Sequence, residues 1–253
     1  MNKLSIIIPV YNEKNTILKI LQRIKEVDLG DIEKEIVIID DYSIDGTREI
    51  LKEFTEKHGY QQKSAENYPS NSVDISDNQS LILKVIYHNE NLGKGSAIRT
   101  GIKYITGDIV LIQDADLEYD PQDYQKLIQP ILDGEYKVVY GSRNLGNNKK
   151  SGFVYYIGGR FLSTLANLLY GTNITDEPTC YKVFKADVLK NLDLKCGRFE
   201  FCPEVTAKVA RQGIKIHELP ISYQPRSVKE GKKIKFKDAV QAAWTLIKYK
   251  FKD

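Results

Sequence analysis

Residues 108–121 read DIVLIQDADLEYDP, and the fold follows from how this stretch is built. Asp108–Gln113 is an apolar, β-branched run, the pattern of a strand buried on both faces. Acids begin where it ends. Asp114 and Asp116 sit two apart, and in extended backbone their side chains share a face. Glu118 continues the same row. Pro121 then opens a helix that runs to about Leu132.

The same order of parts recurs along the chain. Leu4–Ile8 is a short strand ending at Pro9, followed by helical spacing of Ile17, Ile20, Leu21, Ile24 and Val27. Glu35–Asp40 is a second strand, with a helix over Thr47–His58. Ile82–Tyr87 is a third, with a helix over Gly95–Ile105. After the fourth strand and its helix comes a strand around Val138–Tyr140. Strands alternating with helices predict an α/β fold, a mostly parallel sheet with helices on both faces. Such sheets bind ligands at the carboxyl ends of their strands. The polar clusters fall there: PVYNE after strand one, DDYSIDGT after two, NLGKG after three and DADLE after four. Gln61–Ser80 is polar and without period, and reads as a mobile surface insertion.

After Gly141 the pattern changes. Phe153–Leu169 is helical and rich in aromatics, Cys180–Phe184 and Ile214–Leu219 read as strands, and a helix lies near Pro203–Gln212. A final helix spans Phe236–Phe251. No internal repeat or linker separates a second domain, so 1–253 reads as one domain. Its parts are a half over 1–141, a half over 142–230 and a basic C-terminal helix over 231–253.

The chain has 253 residues, 42% hydrophobic and 28% charged, enough to bury a core without disulfides or metals. Its net charge of +3 is too small for a nucleic-acid coat. That charge is uneven. Residues 229–253 hold eight lysines against three acids, a local +5, which leaves −2 for the rest. Three cysteines without a CxxC pair fit a reducing, cytosolic setting. The N-terminus carries no cleavage-site pattern and reads as a first strand. No stretch approaches the roughly 20 apolar residues of a membrane span.

Asp114 and Asp116 suit a hard cation, Mg²⁺ or Mn²⁺, which takes oxygen ligands and keeps places for phosphate. The bland alternative is loop acids capping the helix at Pro121. Asp40 and Asp41 either cap the helix after Ser43–Thr47 or hydrogen-bond a nucleoside. Gly93-Lys94-Gly95 opens a helix, so backbone and Lys94 can meet phosphate, with Arg99 one turn on. The Walker and GxGxxG patterns are both absent. His58, His88 and His217 pair with no nucleophile and read as structural.

Taken in order, IIIPVYNE, IIDDYSIDGT, NLGKGSAIRTG and QDADLEYDP resemble family-2 glycosyltransferases. VVYGSR, TDEPTCYKVF, RFEFCPEVTAK, ELPISYQPR and EGKKI resemble the dolichyl- or polyprenyl-phosphate sugar synthase branch. The resemblance implies a GT-A fold over about Leu4 to Tyr249. It implies that Pro9, Tyr11, Glu13 and Asp41 hold the nucleoside of the sugar donor. With Asp40, Lys94 and Arg99, read above from their own positions, and with Asp114, Ala115 and Asp116, they make up the expected donor site. Asp114 and Asp116 become the catalytic, metal-binding DxD pair, joined by Glu118. One departure stands out: Tyr42 replaces the Gly of the family's DDGS motif, the residue that tolerates positive φ.

The implied reaction is metal-dependent and inverting. A hexose, mannose or glucose, passes from a GDP-mannose or UDP-glucose type donor to a polyprenyl phosphate at the cytosolic face of a membrane. A phosphate monoester is already ionised near neutral pH, so it needs positioning cations and no base. Arg143, Arg160, Lys182 and Arg226 fill that role at motif positions. A sugar-hydroxyl acceptor would instead need a base, from Asp176, Glu200 or Glu204. A third reading is a nucleotide-sugar-binding protein without turnover. In the last helix Phe236, Val240, Trp244, Ile247 and Phe251 share a stripe, read as the side packed on the core. The alternative is a basic, Trp-bearing surface facing anionic headgroups.

Overall fold

Ile6, Ile7 and Ile8 are each fully buried. Successive strand residues point to opposite faces, so both faces of β1 (Lys3–Val10) are covered. The computed structural model describes residues 2–57, 63–64, 74–77, 79–149, 152–226 and 236–252. They divide into two units, 1–117 and 118–253. In the first unit β1 is central. β2 (Glu33–Asp40) pairs with it in parallel on one side and β6 (Ile109–Ile112) in parallel on the other. β5 (Gln79–Tyr87) lies in parallel outside β2. Helices α1 (Ile17–Glu26), α2 (Thr47–Lys57) and α3 (Lys94–Ile102) alternate with these strands along the chain. The chain therefore builds outward from β1 to β2 and β5, then returns to the far side of β1 as β6. Strand order reverses between β1 and β6, the place where open parallel sheets bind ligands. Gly101 lets α3 sit close: a Cβ there would come within 2.7 Å of Ile7 and 2.8 Å of Ile39.

The stretch 61–80, expected to be a loop, is partly strand. β3 (Lys63–Ser64) pairs in parallel with the end of β5, and β4 (Asp74–Asp77) pairs antiparallel with its start. The outer edge of β5 offers unpaired backbone groups, which extended chain satisfies whatever its side chains. Side-chain pattern therefore does not reveal such a strand. The remainder of the stretch lies outside the described residues.

One buried ionic node braces this unit. The Glu35 carboxylate accepts from Lys84 Nζ at 2.6 Å, from Thr106 N at 2.7 Å, from Thr106 Oγ1 at 2.8 Å and from Ser5 Oγ. Burial opposes its charge, but these partners together hold its pKa below the usual value. Glu35→Ala should cost about 3–5 kcal/mol, because Lys84 is left buried and unpaired. Urea unfolding monitored by circular dichroism reads this directly.

In the second unit β7 (Val138–Ser142) is flanked by β8 (Lys182–Lys185), antiparallel, and β9 (Ile216–Pro220), parallel. Its helices are α4 (Tyr124–Leu132), α5 (Phe153–Tyr170), α6 (Ala186–Lys190), α7 (Phe201–Arg211) and α8 (Phe236–Phe251). α6 has five residues, too few to show a period in sequence. α5 and α8 share a cluster of Leu162, Ala166, Ile174, Ala242 and Leu246. This reverses the expected orientation of α8. Ala242, Thr245, Leu246 and Tyr249 are buried, whereas Val240, Trp244, Ile247 and Phe251 are exposed. Small residues let α5 approach closely, and the bulkier stripe is left outside. The EGKKI motif falls outside the described residues. No helix among the described residues is long and apolar enough to cross a membrane.

Candidate active site

The loops at the carboxyl ends of the first unit's strands are laced together by backbone-to-side-chain bonds. After β1, Asn12 N donates to Ser43 Oγ at 2.9 Å, and Glu13 N donates to Thr47 Oγ1 at 2.8 Å. In return Ile44 N donates to Asn12 Oδ1 at 2.9 Å. Pro9 and Tyr11 are half-buried, and the buried Glu13 accepts from Thr16 Oγ1. Tyr42 has φ 65°, so the loop keeps the left-handed turn a glycine would supply. That costs about 1–2 kcal/mol. Its ring is also occupied, with the Arg48 guanidinium 5.4 Å from its centre.

Asp40 and Asp41 do different work from that expected of direct donor contacts. Asp41 Oδ1 meets His88 Nδ1 at 2.8 Å and accepts from Leu92 N at 2.9 Å, while Oδ2 accepts from Gly93 N at 2.8 Å. Asp41 thus holds the NLGKG loop in place. Gly93, at φ 92°, gives the turn that aims its N–H there. Asp40 Oδ2 accepts from Arg48 Nε at 2.8 Å, and its Oδ1 is buried without a hydrogen-bond partner. Arg48 was not anticipated, since nothing in the period of α2 distinguishes it from a solvent-facing arginine. His88 fits its structural reading.

Asp114 lies in irregular chain just after β6 and Asp116 in the turn that follows, with Leu117 at φ 63°. The alternation that puts residues two apart on one face of a strand does not hold through a turn. Ala115 is buried and both acids are partly exposed. Lys94, at the start of α3, places Nζ 2.6 Å from Asp114 Oδ1 and 2.8 Å from Oδ2. An ammonium straddling both oxygens shows that a cation is accommodated there, and an all-oxygen donor set suits Mg²⁺ or Mn²⁺. No group of three His, Cys, Asp or Glu among the described residues is arranged to hold a metal. Arg99 is exposed in the last turn of α3.

The Glu118 carboxylate has partners of its own. It belongs to the second unit, where it accepts from Tyr223 OH at 3.0 Å and from Arg226 N at 2.6 Å. There the main cationic feature is Arg143. Its Nε and Nη2 meet Asp176 Oδ2 and Oδ1 at 2.8 and 2.7 Å, and its backbone N–H also donates to Oδ2. Tyr223 lies under the guanidinium at 5.2 Å. Burial disfavours both charges, yet each holds the other ionised: Asp176 titrates below its ordinary range and Arg143 well above. A carboxylate lowered in the folded state contributes stability above the unfolded pKa and loses it as pH falls through the folded one. Asp176→Asn should therefore remove part of the acid-unfolding transition below about pH 4, read by pH titration of tryptophan fluorescence.

The other expected phosphate contacts separate. Lys182 is fully buried, donates to Glu177 O at 2.6 Å and sits 3.7 Å from the centre of the Tyr140 ring. It is a core residue, not a surface cation. Arg160 is exposed and reaches Thr175 O at 3.4 Å. Among the carboxylates read as bases, Asp176 is paired with Arg143. Glu204 is buried and accepts from Lys195 N, Cys196 N and Lys208 Nζ. Glu200 is half-buried, with Oε2 lacking a hydrogen-bond partner.

The family model for glycosyl transferase family 2 matches residues 5–193. The chain belongs to that family. This family 2 glycosyltransferase is 31% identical over 85% of its length to a UDP-N-acetylglucosamine–dolichyl-phosphate N-acetylglucosaminyltransferase of Methanococcus voltae, covering 83% of it. It is 29% identical over 90% of its length to an undecaprenyl-phosphate 4-deoxy-4-formamido-L-arabinose transferase of Edwardsiella ictaluri, covering 62% of that protein. Among solved structures it resembles glucosyl-3-phosphoglycerate synthase of Mycobacterium tuberculosis, crystallised with Mg²⁺ and UDP. The TM-score is 0.68 at 18% identity, over all of this chain and 80% of the other. That likeness establishes the GT-A fold of the family 2 glycosyltransferase.

Proposed function

We propose that this glycosyltransferase moves a sugar from a nucleoside diphosphate sugar to a polyprenyl phosphate, with inversion and with Mg²⁺ or Mn²⁺. The observation that carries the reading is the first unit's set of laced loops, with a lysine ammonium gripped by Asp114 where strand order reverses. Asp114 and Asp116 would hold the ion, which as a hard cation also takes oxygens from a substrate phosphate. When bound, it would neutralise charge developing on the leaving diphosphate. Lys94 and the α3 N-terminus meet phosphate oxygens, and Asp41 fixes the loop that presents them. Pro9, Tyr11 and Glu13 line the nucleoside end. The names of the two relatives support a lipid-phosphate acceptor. They also broaden the donor beyond mannose and glucose, to an N-acetylhexosamine or a modified pentose.

An acceptor phosphate needs a cation held ionised and aimed, and Arg143 on Asp176 meets that need. Two of the three carboxylates suggested as bases, Asp176 and Glu204, are committed elsewhere, which favours phosphate over a sugar hydroxyl. Arg143→Lys keeps the charge but loses the planar fork. It should raise the acceptor KM by about tenfold or more with the donor KM unchanged. The test of the whole reading is incubation with Mg²⁺, polyprenyl phosphate and a panel of GDP- and UDP-sugars, with product identified by mass spectrometry. The panel includes UDP-glucose, GDP-mannose and UDP-N-acetylglucosamine. Binding of donors without product from any acceptor would favour a non-catalytic protein.

A further inference from the structure

The most unusual surface of the second unit is apolar. Of α8, Val240, Trp244 and Phe251 are 55%, 64% and 78% exposed; of α5, Val154, Phe161 and Leu168 are 72%, 58% and 79% exposed. At 100° per residue, Val240, Trp244 and Phe251 fall in one narrow stripe of α8, and Val154, Phe161 and Leu168 in one stripe of α5. The two helices are packed neighbours through Leu162, Ala166, Ala242 and Leu246. Tyr170 OH donates to Leu246 O at 2.5 Å, and Lys250 Nζ donates to Leu169 O, so the helix ends are tied as well. The two stripes therefore belong to one rigid helix pair. Scattered exposed apolar residues need no explanation, but a concentration of this kind marks a binding surface.

We propose that the α5–α8 pair is the face by which this chain lies on a bilayer containing anionic lipid. This deepens the lipid-acceptor reading above and rests on it. Charge chooses the occupant. Lys237 and Lys248, both exposed, flank the α8 stripe on one side, whereas on the other the Lys250 ammonium is tied to Leu169 O. An apolar stripe edged by lysines is the pattern of a helix lying in the interfacial plane: aliphatic stems cover the apolar edge and the ammonium groups reach headgroup phosphates. Trp244 sits in the middle of this stripe, the residue type favoured at headgroup level. A second copy docking through the same patch would bring one lysine-edged stripe against another, which repels. Anionic headgroups attract them instead.

Trp244 is the chain's single tryptophan and reports on this face without labelling. The full chain is mixed with vesicles of phosphatidylcholine and phosphatidylglycerol in equal parts, with brominated acyl chains in one preparation. The expected results are a blue shift of Trp244 emission, quenching by the brominated chains, and weaker binding to pure phosphatidylcholine or in high salt. The double variant Phe161→Ser/Leu168→Ser, on α5 and apart from the reporter, should weaken partition by about tenfold or more. Its circular dichroism and its transfer to a short water-soluble prenyl phosphate should be unchanged. Emission indifferent to vesicles overturns the proposal, as does unchanged partition of the double variant or a dimer in sedimentation that shields Trp244. Failure to glycosylate the soluble acceptor would sink the transferase reading alone, since vesicle binding is measured without it.

Discussion

Asp116→Ala should lower transfer by about a hundred- to a thousandfold, the range for losing one preorganised electrostatic element, because the acid would act through the cation it holds. The side chain is partly exposed and lies in a turn, so its loss creates no buried cavity. Stability should therefore stay within about 0.5 kcal/mol of wild type, as for surface substitutions away from special features. The same variant should bind Mn²⁺ more weakly in the presence of nucleoside diphosphate, read by titration calorimetry without any turnover. Chelation of wild type should match the variant. Full transfer in a chelating buffer would remove the metal role and leave Asp116 as a donor contact only.

Lys94→Met should move two measurements in opposite directions. In the free protein its ammonium occupies both oxygens of Asp114, at 2.6 and 2.8 Å. A divalent cation must compete with it. Removing that competitor while keeping the aliphatic stem should tighten Mn²⁺ binding to the nucleotide-free protein by about tenfold. That corresponds to about 1.4 kcal/mol, a modest share of the Coulomb energy of a partly exposed pair. Transfer should nevertheless fall by about a hundredfold, because the α3 N-terminus loses the cation that meets the donor phosphates. Electron paramagnetic resonance of Mn²⁺ separates the two effects. If affinity and transfer fell together, Lys94 would be a brace for Asp114 and not its exchangeable counter-ion.

Much of the first unit was legible from residue order. Apolar, β-branched runs followed by polar clusters predict four strands and their carboxyl-end loops, because a strand buried on both faces has few alternatives in composition. The motifs located the loops correctly but not what each side chain does within them. Asp114 and Asp116 share a face only in extended chain, and a turn at 115–116 takes its place. The Asp41 carboxylate binds the loop after β5, 51 and 52 positions along the chain, which its motif does not reveal. Such bonds join residues distant in sequence and leave no periodic trace.

The same limit applies in the second unit. Lys182 looked like a phosphate contact by its motif position and is instead enclosed against Tyr140. Arg143 is paired with Asp176, which keeps its charge stable within the fold, and that partner too is 33 positions away. α8 shows the limit most plainly. Its helical period was evident, but a helix with apolar residues on two arcs does not say which arc faces the core.

Residue order alone determined that this is an α/β chain with its chemistry at strand ends, because alternation and burial are local properties that each segment carries by itself. Tertiary structure decided which carboxylates are committed, which cations are exposed and which face of α8 looks outward. Those depend on which partners arrive from elsewhere in the chain: the cluster with Leu162, Ala166 and Ile174 buries one arc of α8, and Trp244 is left on the other.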